Sequence, residues 1–293
     1  MRLSQIRLRD PFILPENGVY YLYGSEVVDQ KKFMVYKSHD LIEWSEPKVI
    51  LEANAEFDYD KFWAPEVHKY KGKYYLFASF ETEYTRILEC DTPDGIYKPI
   101  APPPVRDGVQ HIDGTFYVDK KGQPYIAVSY NKDIYKEGRW YIKEASIQAL
   151  PLSQDLKEPA GELFPLIYGD EYFRSRTRLV FSNLWHVTEG PFFYRTDENL
   201  YLLWSGFSGE HNGQQAYHTY FQAVAKSDNG EIDGNWVYQD ELLYADDGGH
   251  GMIFEDFDGN PKLILHQPNG VYNEETPCIF DIVEKNGKLI IKD

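Results

Sequence analysis

The chain has 293 residues and a formal net charge of −17, with two cysteines, 24 tyrosines and 17 phenylalanines. So acidic a balance argues against nucleic acid as a partner, because phosphates are bound by clusters of lysine and arginine, and it also argues against an anionic membrane surface. Two cysteines are too few for a disulfide framework, and no stretch approaches the roughly 18 apolar residues of a membrane-spanning helix.

The N-terminal residues, Met1 to Arg9, lack the apolar core of a secretory signal peptide. We therefore expect the protein in the cytoplasm, unless a leader has been removed from an exported chain. The length fits one large all-β domain or two ordinary domains. The oligomeric state is left open by the sequence.

A hairpin-like unit occurs five times from end to end. In each copy a polar residue opens a short apolar strand, a charged or glycine-containing turn follows, and an aromatic-rich strand ends at serine or histidine. The opening residues are Asp10, Glu66, Asp113, Glu189 and His250. The opening residues are 47 to 76 positions apart. Hairpins that recur at such intervals are typical of propeller blades. We therefore predict an all-β, five-bladed β-propeller that forms a single domain over residues 1–293, with blades starting near residues 10, 66, 113, 189 and 250.

Runs of β-branched and aromatic residues place most strands of each blade. The predicted strands are 33–36 in blade one, 67–70, 74–80 and 86–90 in blade two, 115–118, 124–129 and 139–146 in blade three, 188–194, 200–206 and 219–226 in blade four, and 252–255, 262–266 and 278–283 in blade five. Gly72 lies in a predicted hairpin turn, where positive φ is needed. The last outer strand is either 289–292 or the N-terminal 3–8.

Two segments depart from the repeat. Residues 161–186 lie outside it and carry Arg174, Arg176 and Arg178 at alternate positions. These arginines either form surface ion pairs on a solvated edge or shape the mouth of a pocket. Residues 208–217 are rich in Gly and Gln and are predicted to form a loop over the centre.

The five opening residues should converge, because the first strand of each propeller blade lines the central channel. Four carboxylates and one imidazole in one place repel or perturb one another, and this cost suggests a function. Glycoside hydrolysis uses a general acid with a raised pKa and a second carboxylate as base or nucleophile. A third carboxyl group can sustain the pKa of the acid, and Asp10, Asp113 and Glu189 fit these three roles.

Five motifs in these strands resemble those of glycoside hydrolase family 43. They occur in the order of the family and cover essentially the whole chain. The motifs are Arg9-Asp10-Pro11-Phe12-Ile13, Trp63-Ala64-Pro65-Glu66-Val67, Ile112-Asp113-Gly114-Thr115-Phe116, Thr188-Glu189-Gly190-Pro191 and Gly249-His250-Gly251.

The resemblance implies a five-bladed propeller that hydrolyses glycosides with inversion. It assigns Asp10 as the general base that activates water, Glu189 as the general acid, and Asp113 as the residue that tunes and orients Glu189. Inversion needs room for water between carboxyl groups about 6.5–9.5 Å apart. Residues on separate blades can meet that separation.

The same resemblance suggests a substrate-binding set. Trp63 is expected to line the sugar subsite, although packing between blades is the alternative. Phe116 and Phe62 are further candidates for that wall, and Glu66 and His250 complete the set. No cofactor is required by the reaction. The family histidine matched by His250 helps to hold calcium in some members, but calcium prefers oxygen ligands, so a metal there is left open.

One departure from the family concerns substrate anchoring. Many members carry a subsite arginine near the third strand of the last blade, where this chain reads Asn273-Glu274-Glu275-Thr276-Pro277-Cys278. Either sugar anchoring differs here, or one of the arginines at positions 174, 176 and 178 substitutes.

The predicted function is release of arabinofuranosyl or xylosyl residues from neutral plant-type oligosaccharides or polysaccharides. Endo-arabinanase and exo-galactanase activities are alternatives, because resemblance to the family fixes the reaction type far better than it fixes the sugar. A retaining fructan hydrolase and a mannoside phosphorylase share the architecture. The non-enzymatic alternative is a sugar-binding propeller that has lost turnover, which the presence of all three carboxylates disfavours.

Overall fold

In the computed structural model the chain forms five antiparallel four-stranded sheets. The structure describes residues 1–54, 58–81, 84–136, 139–169, 187–211, 214–269, 271 and 273–292. Arg174, Arg176 and Arg178 lie outside the described residues. Among the described residues, no helix is long and apolar enough to cross a membrane.

Each sheet takes its four strands in chain order from the inside outward. Blade one contains β1 (Leu8–Glu16), β2 (Val19–Glu26), β3 (Lys32–Ser38) and β4 (Lys48–Glu52). Blade two contains β5 (Phe62–Tyr70), β6 (Lys73–Phe80), β7 (Thr85–Cys90) and β8 (Lys98–Pro99). Blade three contains β9 (Gln110–Val118), β10 (Pro124–Lys136), β11 (Arg139–Pro151) and β12 (Phe164–Tyr168).

Blades four and five complete the ring. Blade four contains β13 (Glu189–Arg195), β14 (Leu200–His211), β15 (Gln214–Ser227) and β16 (Trp236–Tyr238), and blade five contains β17 (Gly249–Glu255), β18 (Pro261–Gln267), β19 (Thr276–Lys285) and β20 (Lys288–Ile291). Each inner strand contacts the inner strands on either side, and β17 contacts β1. The predicted five-bladed propeller is confirmed.

Three details of the strand prediction change. Strand β12 belongs to blade three, so the segment 161–186 was wrongly placed entirely outside the repeat. The predicted loop 208–217 is largely strand, because β14 and β15 form a long hairpin through it. The outer strand of blade five is β20, since it pairs with β19, whereas Leu3–Gln5 forms a short 3₁₀ turn.

Aromatic side chains fill the space between blades. The ring of Phe33 in blade one lies 5.3 Å from Phe62 and 6.1 Å from Phe80, both in blade two. All three side chains are fully buried. Aromatic pairs at these separations bury large apolar areas and add an attraction between ring edge and face. This packing holds neighbouring blades side by side with their inner strands around one axis.

All five inner strands contain a β-bulge at the same place. Two residues of the inner strand lie opposite one residue of the second strand, and the first of the two has a left-handed φ of 47–58°. Residues other than glycine rarely adopt this backbone conformation. A bulge also changes the direction of the side chain that it carries. The left-handed residues are Asp10, Ala64, Asp113, Gly190 and His250.

The bulges correct the predicted equivalence of the five opening residues. Asp10, Asp113 and His250 are equivalent, but Glu189 precedes its bulge residue by one position and Glu66 follows its own by two. Aligning the blades on their polar residues was therefore wrong. The proline or glycine that follows each left-handed residue marks the true register: Pro11, Pro65, Gly114, Pro191 and Gly251.

At four of the five blade boundaries, the second-strand residue that pairs with the residue before the bulge bonds to the next blade. The hydroxyl of Ser25 accepts the N–H of Ala64 at 2.8 Å, and the hydroxyl of Ser79 accepts the N–H of Asp113 at 2.9 Å. Equivalent bonds follow around the ring: His250 N–H to Ser205 Oγ at 2.7 Å and Asp10 N–H to His266 Nδ1 at 3.1 Å. These bonds satisfy amides that the bulges remove from the sheet ladder, and so fix the left-handed residues in place.

Candidate active site

A cavity of about 330 Å³ opens where the bulges meet. Five of the residues singled out by the sequence line it: Asp10, Trp63, Asp113, Glu189 and His250. The cavity also contains residues that the sequence did not assign to the site: Arg9, Ser25, Glu26, Gln30, Lys61 and Ile112. The fold therefore brings the three candidate catalytic carboxyl groups to one pocket.

Asp10 is held as a carboxylate. Its Oδ1 lies 3.1 Å from Nδ1 of His250, and its Oδ2 accepts a hydrogen bond of 2.6 Å from the hydroxyl of Ser25. Burial alone would raise the pKa of Asp10, but the positive charges of His250 and Arg9, with smaller effects from His266 and Ser25, lower it to about 2. At neutral pH this group can accept a proton.

Asp113 has the opposite electrostatic environment. Burial raises its pKa to about 7, against the attraction of His250, and the adjacent carboxyl group of Glu189 adds to the rise. Oδ2 accepts 3.3 Å hydrogen bonds from the hydroxyl of Ser129 and the amide of Gly190. Asp113 thus keeps its proton to higher pH than an ordinary aspartate does.

Glu189 is the second carboxyl group with a raised pKa. Burial is the main cause, while the charge of His250 and a hydrogen bond oppose it. The hydroxyl of Tyr220 donates that bond to Oε1 at 2.7 Å. A buried carboxyl group that keeps its proton at higher pH can donate it to a leaving group.

His250 lies among the three carboxyl groups. Its burial disfavours a charge, but the carboxyl groups of Asp10, Asp113 and Glu189 raise its pKa. Gly190 makes room for the imidazole, because a Cβ at that position would lie 2.9 Å from Cγ of His250. The glycine after Glu189 is therefore a steric requirement of the site.

A second polar cluster, behind Asp10, escaped the sequence analysis. Nδ1 of His266 accepts the amide of Asp10, so its proton lies on Nε2, which faces Oδ1 of Asn269 at 3.0 Å. Burial lowers the pKa of His266 to about 4, in agreement with a neutral ring. Arg9 also donates to Oδ1 of Asn269, at 3.0 Å. The only sequence signal was the histidine that replaces serine at the end of the second strand of blade five.

Arg9 bears on the missing subsite arginine. Its Nη1 lies 3.6 Å from Oε1 of Glu275, and the Glu275 side chain is 4% exposed. Glu275 belongs to the segment where the family arginine is absent. A carboxylate there thus holds an arginine that reaches the cavity from blade one.

Three residues predicted to bind substrate lie outside this cavity. Glu66 is buried, with Oε2 2.8 Å from Nε2 of His68, and borders a separate void of about 10 Å³. Phe116 is 9% exposed and stacks on Phe77 with ring centroids 5.2 Å apart. Phe62 is fully buried between blades. Bulge register explains Glu66, and core packing explains the two phenylalanines, so their positions do not support the predicted sugar contacts.

The structure gives no further support for a metal at His250. Among the described residues, no group of three or more His, Cys, Asp or Glu side chains is arranged to hold a metal ion. Calcium at His250 stays a prediction.

Comparison with known proteins agrees with this geometry. The family model described as Glycosyl hydrolases family 43 matches residues 3–280. The crystal structure of an endo-arabinase from Bacteroides thetaiotaomicron VPI-5482 is 34% identical, with a TM-score of 0.83 over 98% of both chains. An endo-1,4-beta-xylanase structure from the same organism is 24% identical, with a TM-score of 0.75 over 98% of this chain and 95% of that one, which shows a shared fold.

One curated relative is more distant. The extracellular endo-alpha-(1->5)-L-arabinanase 2 of Bacillus subtilis (strain 168) is 23% identical over 234 residues, or 70% of this chain. The chain spans 46% of the length of that relative. Together, the family match over residues 3–280 and the propeller, whose cavity contains the three candidate catalytic carboxyl groups, show that this chain belongs to glycosyl hydrolases family 43 and is a glycoside hydrolase.

Proposed function

We propose that the protein hydrolyses α-L-arabinofuranosyl linkages in neutral plant-type saccharides, with inversion, and releases arabinofuranosyl residues. The observation that carries the acid–base chemistry is the division of protonation states within one cavity: a pKa of about 2 at Asp10, and raised pKa values at Asp113 and Glu189. Inversion is inferred from membership of glycosyl hydrolases family 43. Two carboxyl groups whose environments drive their pKa values apart are suited to serve as base and acid.

In this mechanism the Asp10 carboxylate accepts a proton from a water molecule, whose oxygen attacks the anomeric carbon. Glu189 gives its proton to the departing glycosidic oxygen. Asp113 helps Glu189 to retain that proton, because a nearby carboxyl group disfavours a second negative charge. A single displacement inverts the anomeric centre.

Trp63 supports the assignment of the substrate as a sugar. It lines the cavity at the start of β5, and Nζ of Lys61 lies 5.8 Å from the centre of its ring. A flat aromatic ring beside polar groups suits a furanose or pyranose, which has an apolar face and hydroxyl edges. Arabinose is favoured over xylose by the 34% identity with a protein named as an endo-arabinase.

Internal cleavage of arabinan is the second candidate, because two of the related proteins carry endo-arabinanase names. Release of single xylosyl or galactosyl residues is tested with the same set of substrates. The distribution of product lengths separates these candidates: single sugars indicate release from a chain end, whereas mixed oligosaccharides indicate internal cleavage.

Proton NMR of the reaction tests the proposal directly. Aryl α-L-arabinofuranoside, β-D-xyloside and β-D-galactoside would be followed by arabino- and xylo-oligosaccharides. The expected first product is arabinose of inverted configuration. Retention would contradict the role of Asp10 as base and favour a fructan-hydrolase mechanism. Turnover only with added phosphate would indicate a phosphorylase, and binding without turnover would indicate a sugar-binding protein.

A further inference from the structure

Glu26 is a cavity residue that the proposed mechanism does not use. It is the last residue of β2, is 8% exposed and lines the same cavity as Asp10. Its Oε1 is buried and has no hydrogen-bond partner among the described residues. A buried carboxyl oxygen without a partner destabilises the folded state, since it has lost water without a replacement.

The charges around Glu26 do not compensate for this burial. Burial raises its pKa to about 7, with Lys32 opposing the rise and Asp29 adding to it. The ammonium group of Lys32 lies 2.9 Å from Asp29, so it is already paired. The phenol of Tyr36 interacts electrostatically with Glu26. It remains neutral, because burial raises its own pKa.

Glu26 shares its part of the cavity with other hydrogen-bonding groups. Gln30 and Lys61 line the cavity beside it, together with Trp63. The carbonyl of Gln30 accepts the amide of Phe62 at 2.8 Å, which fixes the segment after β2 against the start of β5. Groups from blades one and two thus line one cavity together with Trp63, and they can bind the hydroxyl groups of a ring that rests on Trp63.

We propose that Glu26 is a specificity-determining residue whose carboxyl group binds a hydroxyl group of the sugar in the cavity. The hydroxyl supplies the hydrogen bond that Oε1 lacks. A protonated carboxyl group can both donate and accept, whereas a carboxylate can only accept. A sugar without the matching hydroxyl would leave Glu26 unpaired, which is the situation in which polar sites discriminate most strongly. This inference rests on the proposed glycosidase function.

The test measures binding in a protein that does not turn over substrate. Glu189→Gln serves as the background, and arabinotriose or xylotriose is titrated by calorimetry. Adding Glu26→Leu should weaken binding of the preferred trisaccharide roughly 10-fold, the usual scale of a hydrogen bond to a charged or buried group. Glu26→Gln should weaken it less and should reduce the change in affinity between pH 5.5 and 8.5, leaving only the part that Asp113 and His250 contribute.

Glu52→Gln is the matched control, since Glu52 ends β4 of the same blade and is exposed. It should leave affinity unchanged. Affinity within twofold of the background in both Glu26 variants would overturn the inference. If Glu26→Leu does not fold, the pH dependence in Glu26→Gln decides. Wild-type turnover with unaffected Glu26 variants would contradict this inference alone, whereas a wild-type protein without turnover or binding would contradict both proposals.

Discussion

Asp10 and Asp113 occupy the same backbone position in blades one and three, and both line the cavity. Each is the left-handed residue of an inner-strand bulge, with φ of 50° and 56°. The side chain of Asp10 is 9% exposed, and Asp113 is 6% exposed. Even so, their pKa values are about 2 and about 7. The repeat therefore gives both residues the same backbone geometry. The difference between their pKa values must come from the side chains around them.

The neighbouring charges account for the difference. Arg9 precedes Asp10 and His250 lies 3.1 Å from it, whereas Ile112 precedes Asp113 and the carboxyl group of Glu189 is a close neighbour. Opposite charge favours ionisation and like charge disfavours it. Substitutions in one blade thus convert a repeated bulge into two chemically different groups.

Removing the carboxylate of Asp10, the group with the low pKa, should have the largest effect on turnover. We expect Asp10→Asn to lower kcat by roughly 10²- to 10⁴-fold, the usual contribution of a general base. The loss should be similar for an aryl glycoside and for a natural oligosaccharide, because both need activated water. Steady-state kinetics on the two substrates measures it, and a large difference between them would contradict the role of Asp10 as base.

Removing the proton donor should give a loss that depends on the leaving group. We expect Glu189→Gln to lower kcat by roughly 10²- to 10⁴-fold on an oligosaccharide and much less on an aryl glycoside with an acidic phenol, which leaves without protonation. The same kinetic comparison measures it. Full activity in this variant on the oligosaccharide would exclude Glu189 as the acid.

Replacing the residue before Asp10 should reduce the difference in pKa between Asp10 and Asp113. Arg9→Ile gives Asp10 the same preceding residue as Asp113, so the pKa of Asp10 should rise. Because Asp10 must be ionised to act as base, the acidic limb of the kcat/KM profile should move to higher pH, by about one unit for about 1.4 kcal/mol of lost attraction. Lys61→Leu is the control, and an equal shift there would show a general charge effect.

The alkaline limb of the kcat/KM profile tests the role of Glu189 in the same way. The hydroxyl of Tyr220 stabilises ionised Glu189, so Tyr220→Phe should raise the pKa of Glu189 further. Activity is lost when Glu189 loses its proton, and the alkaline limb should therefore move to higher pH, by up to about one unit. Asp113→Asn should move it in the opposite direction. Shifts of the same sign in both variants would contradict this arrangement.

The periodic part of this molecule could be predicted from its sequence. The five inner strands were recognisable because Phe, Tyr, Val and Ile recur in five successive hairpins with short turns. Asp10, Asp113 and Glu189 were found because each lies in a motif beside proline or glycine. The structure places all three in one cavity.

The remainder depends on contacts between distant segments. Ser25 meets Ala64, and Tyr220 meets Glu189, through packing that no local pattern encodes. Phe116 is an aromatic residue of the kind that stacks on sugars, but in the structure its ring stacks on Phe77 in the core. Glu66 was misplaced because one extra bulge residue changes which way a side chain points.

Glu26 extends the comparison to a third buried carboxyl group. Its pKa is raised from 4.5 to about 7 in the folded protein. As pH rises from about 4.5 to 7, the unfolded chain loses this proton first, so the folded state of the wild type loses stability over that window. Glu26→Gln cannot titrate, and its free energy of unfolding should exceed that of the wild type by about 1–3 kcal/mol more at pH 7.5 than at pH 4.5.

Urea unfolding of both proteins at the two pH values measures this difference. Glu52→Gln provides the comparison, because Glu52 is an exposed glutamate of the same blade. Parallel pH curves for Glu26→Gln and the wild type would mean that Glu26 ionises as readily in the folded protein as in the unfolded chain. Burial would then not be sufficient to raise the pKa of a carboxyl group at this cavity, and the raised pKa of Asp113 would have to come from the neighbouring carboxyl group of Glu189.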